Sequence, residues 1–291
     1  MTSVLTTGAT GLVGSRIIEL LQDDYSFQNL DLATGVDITD PESLAKAVKN
    51  SDAKTMIHFA AFTNVAEAYA QTGDKNGVCY KVNVEGTKNI VNLCREHGIY
   101  LIHFSTDFVF AGDQEEPYTE SSLRNPIEWY GQTKAWAEEE VEKLDKDYAV
   151  VRIGYPFRAK FPTKPDIVAK ILGGLSAGNL YPQFSDMIIT PTFIDDLAPA
   201  IKKLVASKPT GIYHLSGSSS LSPLELARKV AVQFGFDPGL VKEGSLAEYL
   251  KTTDRPYQKT LRIDNSKAKS ELDTNLSDID SALASIFSQL Q

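Results

Sequence analysis

Close to its amino terminus the chain runs from a short apolar stretch, SVLTTG (3 to 8), straight into ATGLVGSR, which places Gly8, Gly11 and Gly14 at a regular three-residue interval. A strand that feeds a glycine-rich turn and then a helix admits few folds. The glycines allow a tight turn and let a pyrophosphate approach the backbone, and the free N–H groups at the helix start present a positive dipole end to it. The helix predicted over 12 to 22 holds Leu12, Ile17, Leu20 and Leu21 on one face.

The rest of the first half repeats that grammar. Apolar runs FQNLDL (27 to 32), TMIHFA (55 to 60), YLIHFS (100 to 105) and YAVVRI (148 to 153) read as strands, separated by helices over 41 to 49, 78 to 97 and 129 to 144. Alternation of this kind gives an α/β fold, a doubly wound parallel sheet covered by helices on both faces. After Ile153 the rhythm breaks at Pro156, Pro162, Pro165 and the Gly173-Gly174 pair, so residues 154 to 182 read as a loop-rich segment with one helix around 165 to 177. A strand end and helix at 191 to 205, a strand at 211 to 217, a helix at 222 to 235 and a helical tail over 266 to 290 follow. The expected division is a dinucleotide-binding domain over 1 to 154, rejoined by 187 to 217, and a smaller substrate-binding lobe built from 155 to 186 and 218 to 291.

Composition narrows the function. A formal charge of −9 argues against non-specific binding to nucleic acid or to a membrane surface, since both need basic patches. No apolar run approaches a membrane span, and the first residues enter the glycine motif rather than a signal peptide, so a cytoplasmic protein is expected. Cys79 and Cys94, with no CxxC spacing, read as buried reduced thiols, and His58, His97, His103 and His214 lack metal-ligand spacing, so no metal site is expected.

Chemistry concentrates where strands end. Asp31 lies at the predicted end of the second strand, where an acid can accept hydrogen bonds from an adenosine ribose; a solvated loop acid is the alternative reading. Asp37 and Ile38 could contact and flank the adenine, and His58-Phe59-Ala60-Ala61 ends the third strand with small residues beside the cofactor path, His58 itself reading as a packing residue. The fourth strand ends in Ser105-Thr106-Asp107, and the helix that follows begins WYGQTK (129 to 134). Positions i and i+4 share a helix face, so Tyr130 and Lys134 can reach one point, and an ammonium beside a phenol is expected to lower its pKa toward neutrality. Thr106 and Tyr130 can then converge on one substrate carbonyl.

The segments TGATGLVG, HFAAFTNV, KVNVEGTKNI, STDFVF, YGQTK, PTFIDDLA, GIYHLSG and RPYQKTLRIDNSK span nearly the whole chain, and together they resemble an extended short-chain dehydrogenase/reductase of the dTDP-4-dehydrorhamnose reductase branch. The resemblance implies a Rossmann-type fold and reduction of a nucleotide-linked 4-keto-6-deoxy sugar by NADH or NADPH. Thr106 would be the carbonyl hydrogen-bond donor, Tyr130 the acid, and Lys134 the group that grips the nicotinamide ribose. It further implies cofactor contacts at Thr10, Leu12, Val13, Thr63, Asn83 and Ser105, and substrate contacts at Thr63, Val65, Asp107, Tyr155 and Arg255. Ala66 stands where an acid is usual and Tyr155 where the branch usually has tryptophan, which leaves the exact sugar open. Asp31 leans toward NAD by repelling a 2′-phosphate, while Arg16 leaves NADP open. An epimerase of the same superfamily and a non-catalytic, dinucleotide-binding regulatory subunit are the alternatives; a dehydratase would carry a Thr-Asp-Glu run, and here Phe108 follows Asp107. A homodimer is implied only by analogy.

Overall fold

The computed structural model describes residues 1–291. Six strands, β1 (Thr2–Thr7), β2 (Tyr25–Asn29), β3 (Thr55–His58), β4 (Tyr100–Thr106), β5 (Tyr148–Ile153) and β6 (Gly211–His214), form one sheet in the order β2-β1-β3-β4-β5-β6. Every pairing is parallel. All residues of β3 and β4 are buried, as continuous apolar strands covered on both faces must be. The order reverses between β1 and β3, and a crevice opens outside the carboxyl ends of the strands at such a switch point.

Helices α1 (Leu12–Leu21), α2 (Pro41–Val48), α3 (Thr87–His97), α4 (Trp129–Glu142), α5 (Ile167–Ser176), α6 (Leu197–Ser207), α7 (Pro223–Gln233) and α8 (Ile279–Leu290) account for the longer helical stretches. One face of the sheet packs Ile17 and Leu21 of α1 with Ile201 and Leu204 of α6. The other packs Leu44 and Val48 of α2 with Ile90 and Leu93 of α3 and Val141 of α4. A separate core holds α5, α7 and α8 together through Val168, Ile171, Leu226, Val230, Leu283 and Ile286. Met187, Ile189 and Phe193, expected in the nucleotide-binding part, pack in this second core. Conversely Ala268, Leu272 and Leu276, expected in the lobe, pack in the first.

Three expected elements differ. β2 spans Tyr25–Asn29 rather than 27 to 32, because Asp31 turns its carboxylate onto the glycine loop and starts a short 3-10 turn, Leu32–Thr34. The helix expected over 78 to 97 contains a π-helical stretch at Lys81–Gly86, which turns Asn83 toward the loop after β3. The tail breaks into Ser266–Glu271 and α8, with Asp273 between them at φ 48°, a left-handed conformation that ends a helix. No helix is long and apolar enough to cross a membrane.

Candidate active site

A cavity of about 940 Å3 lies at the carboxyl ends of β1, β3 and β4, closed on its far side by residues 155 to 170 of the second core. That volume is within the range of a ligand site.

The glycine turn forms its floor. Gly8 sits at φ +69°, a left-handed backbone that favours glycine, and a Cβ there would collide with the backbone amide of Ala60 at the end of β3. The residue before α1, Gly11, offers no side-chain cap, so the first amides of the helix, at Leu12, Val13 and Gly14, lie at the cavity without one. Thr10 lines the same floor. Asp31 is buried, and its Oδ1 accepts from the amides of Gly8 at 2.6 Å and Ala9 at 3.3 Å. It braces the turn and still lines the cavity, which removes the solvated-loop reading. Asp37 and Ile38 line the outer end, where the Asp37 carboxylate is held by the amide and hydroxyl of Thr39, both at 2.8 Å.

Arg16 does not serve the cavity. Its guanidinium is spent on Asp195 at 2.7 and 2.6 Å and on Glu19 at 2.6 Å, and these carboxylates hold its charge firmly. Arg16 is therefore not free to partner a 2′-phosphate. Asn83 also departs from expectation: it lies off the cavity wall, accepting from the amide of Phe62 at 2.7 Å and donating to Thr133 at 3.0 Å. It shapes the loop that carries Ala60, Ala61, Thr63 and Val65, all of which line the cavity. His58 is a satisfied packing residue between the hydroxyls of Thr7 and Thr87, pulled down to about 3 by burial and by Lys134.

The chemical end gathers residues from β4 and α4. Glu128 caps α4, accepting from the amides of Tyr130 at 2.9 Å and Gly131 at 2.6 Å, and so fixes where the helix starts. Tyr130 remains partly accessible, with Phe108 edge-on at 5.8 Å between ring centres. Burial pushes its phenol up, with the Thr106 hydroxyl acting in the opposite direction. The expectation that Lys134 pulls this phenol toward neutrality is corrected here. The Lys134 ammonium donates to the Phe104 carbonyl at 2.7 Å and meets His103 Nε2 at 3.2 Å, and burial lowers it to about 8, opposed chiefly by Glu138. Tyr130 is thus a firmly protonated donor.

Thr106 and Asp107 stand beside it. The Thr106 hydroxyl bonds Asp107 Oδ1 at 3.1 Å, while Asp107 Oδ2 is buried with no partner. Burial pushes the Asp107 carboxyl up to about 7. Tyr155 closes the site at φ 43°, a strained conformation for an aromatic residue, with Phe108 at 6.1 Å. Arg255 is not brought to the wall: its guanidinium lies 4.2 Å over the Tyr257 ring and bonds that hydroxyl at 3.1 Å. Cys79 and Cys94 are free and buried, and no group of three or more His, Cys, Asp or Glu side chains could hold a metal ion.

Behind the site lies a buried ion cluster absent from the sequence reading. Glu138 accepts from Ser105 at 2.5 Å, from Arg152 at 2.9 and 2.6 Å, and from Arg124 at 3.1 Å. It occupies the position two helical steps beyond Tyr130 and one beyond Lys134, so the i, i+4, i+8 spacing carried the signal. Ser105 lines the cavity while its hydroxyl is committed to this cluster.

Known proteins share this sequence pattern and fold. The family model described as RmlD substrate binding domain matches residues 1–291. The dTDP-4-dehydrorhamnose reductase of Streptomyces griseus is 30% identical over 91% of this chain and 86% of its own, and the dTDP-4-keto-6-deoxy-D-glucose reductase of Streptomyces niveus is 30% identical over 82% and 81%. The crystal structure of dTDP-4-dehydrorhamnose reductase from Bacillus anthracis in complex with NADP superposes with a TM-score of 0.89 at 26% identity, covering 99% of this chain and 100% of that one. The chain therefore belongs to the RmlD substrate binding domain family, within the extended short-chain dehydrogenase/reductases.

Proposed function

We propose that the chain is an NAD(P)H-dependent reductase of a nucleotide-linked 4-keto-6-deoxy sugar. The carrying observation is that Thr106, Tyr130 and Lys134 face the same cavity as an uncapped helix start and its glycine turn. The residues fit a dinucleotide: the wall at Gly8 is backbone packed on backbone, Gly11 leaves room above it, and the amides of Leu12, Val13 and Gly14 have no side-chain cap. These amides would hold the pyrophosphate, Asp31 the adenosine ribose and Lys134 the nicotinamide ribose. A bound reduced dinucleotide supplies the hydride.

The chain's own groups handle the rest. Thr106 Oγ1, whose proton points to Asp107 Oδ1, would turn it to the ketone oxygen and so fix its position. Tyr130 carries its proton on the phenol oxygen and delivers it to the oxygen as negative charge develops there, and burial keeps that proton in place until then. Lys134 sits one turn away, its ammonium held by the Phe104 carbonyl and His103, where it would reach the nicotinamide ribose. Phe108, in the place where a dehydratase would need a carboxylate, gives no base for loss of water.

The test is incubation with NADH or NADPH and a dTDP-4-keto-6-deoxy sugar. Loss of nicotinamide absorbance matched by a sugar product heavier by two hydrogens supports the reading. Isomerised sugar without net oxidation of the dinucleotide would make the chain an epimerase, and binding without either change a regulatory subunit.

A further inference from the structure

Three cations line the cavity: Lys134, Lys164 and Lys170. Lys134 is committed at the chemical end to Phe104 and His103. The other two come from the second core, Lys164 from the loop before α5 and Lys170 from α5 itself, and both are exposed. Neither ammonium makes a side-chain hydrogen bond or a close ion pair, although the Lys170 charge is felt by Asp166. Lys170 lies one turn beyond Asp166, but that carboxylate already accepts from the amides of Ala169 at 2.9 Å and Arg158 at 3.1 Å. The same segment is tied down beside the glycine turn, where Arg158 bonds the Ser15 hydroxyl at 3.0 Å and Glu19 at 2.8 Å on α1.

A chain of net charge −9 that takes phosphate-bearing ligands into a cavity holding Asp31, Asp37, Asp107 and Asp166 needs local positive charge there. We propose that Lys164 and Lys170 form a phosphate-binding wall contributed by the second core, clamping a nucleoside diphosphate group against the glycine-turn side of the cavity. The proposal rests on the reductase reading, under which two ligands carry such a group, the dinucleotide and the nucleotide sugar.

Dissociation constants for NADH, NADPH and dTDP, measured by titration calorimetry on wild type, Lys164→Met, Lys170→Met and the double variant, separate the sources. Both side chains are exposed and unpartnered, so the variants should unfold at the wild-type temperature. The double variant should bind at least one ligand about tenfold more weakly, the size expected when charge-assisted contacts to phosphate are lost. Its binding should also depend less steeply on salt, and Lys→Arg at both positions should restore it. Loss for both dinucleotides places the wall at the cofactor pyrophosphate and loss for dTDP at the sugar nucleotide, whereas loss for NADPH alone marks a ribose phosphate and overturns the diphosphate clamp. A double variant that binds all three as wild type does overturns the proposal. A wild-type chain that binds none of them overturns the reductase reading, and this wall with it.

Discussion

Replacing Glu138 by glutamine keeps the shape of the side chain and removes its charge from the cluster behind the site. Glu138 is fully buried and meets Arg152 at 2.9 and 2.6 Å, Arg124 at 3.1 Å and Ser105 at 2.5 Å. Arg152 is 2% exposed and its other contacts are His214 at 3.3 Å and the face of Phe110, so it would lose its only carboxylate. Breaking a buried pair by removing one partner typically costs ~3 to 5 kcal/mol, because the remaining charge stays buried. Arg124 is partly exposed and keeps Glu142 at 3.0 Å, which places the expected loss toward the lower figure, about 3 kcal/mol. Urea unfolding followed by circular dichroism would show this as a lower midpoint at unchanged slope. Glu142→Gln, at the accessible end of the same cluster, is the control and should cost under about 1 kcal/mol. A Glu138→Gln midpoint within that control range would refute the claim that the cluster anchors α4 to β4 and β5.

Gly11→Val should abolish dinucleotide binding in a folded protein, since its Cβ meets only the Gly8 carbonyl at 3.2 Å while filling the cavity floor; a folded variant with wild-type NADPH affinity contradicts the phosphate cradle. Asp107→Asn should change the pH dependence of stability. The native carboxyl sits near 7 against an ordinary 3.8, so the folded state binds more protons between those values and wild-type stability falls as pH rises through that window. The asparagine variant should lack that fall, and equal pH slopes in thermal unfolding would contradict it. Lys134, lowered to about 8, should lose its charge as pH rises past that point, so turnover should decline on the alkaline side, and Glu138→Gln should move that limb to lower pH. A limb that stays in place would show that Glu138 does not support the ammonium.

Much of the site was legible because its parts are local. The glycine turn follows β1 within a few residues, Tyr130 and Lys134 are one helical turn apart, and Thr106 closes an uninterrupted apolar strand. Each of these uses a short-range rule of strand, turn or helix, and the parallel order of the sheet then brings the strand ends together. What sequence reasoning misjudged depends on contacts between distant segments. Arg16 reads as a phosphate partner until Asp195, on the far side of the chain, claims it. Asn83 is turned inward by a π-helical stretch that no periodicity announces. The helical spacing of Tyr130 and Lys134 predicts a lowered phenol, whereas burial, which depends on the whole fold, pushes it up.

The central claim is that Tyr130 is the proton donor in a reductase. Tyr130→Phe removes the one hydroxyl that delivers the proton, and general acid catalysis contributes ~10² to 10⁴-fold. Steady-state oxidation of the preferred nicotinamide dinucleotide with a dTDP-4-keto-6-deoxy sugar, with dinucleotide affinity measured in parallel by fluorescence, tests it directly. The account predicts kcat reduced by roughly that factor with dinucleotide affinity unchanged, because the phenol meets the substrate oxygen and not the phosphates. A Tyr130→Phe enzyme with wild-type kcat would contradict the account.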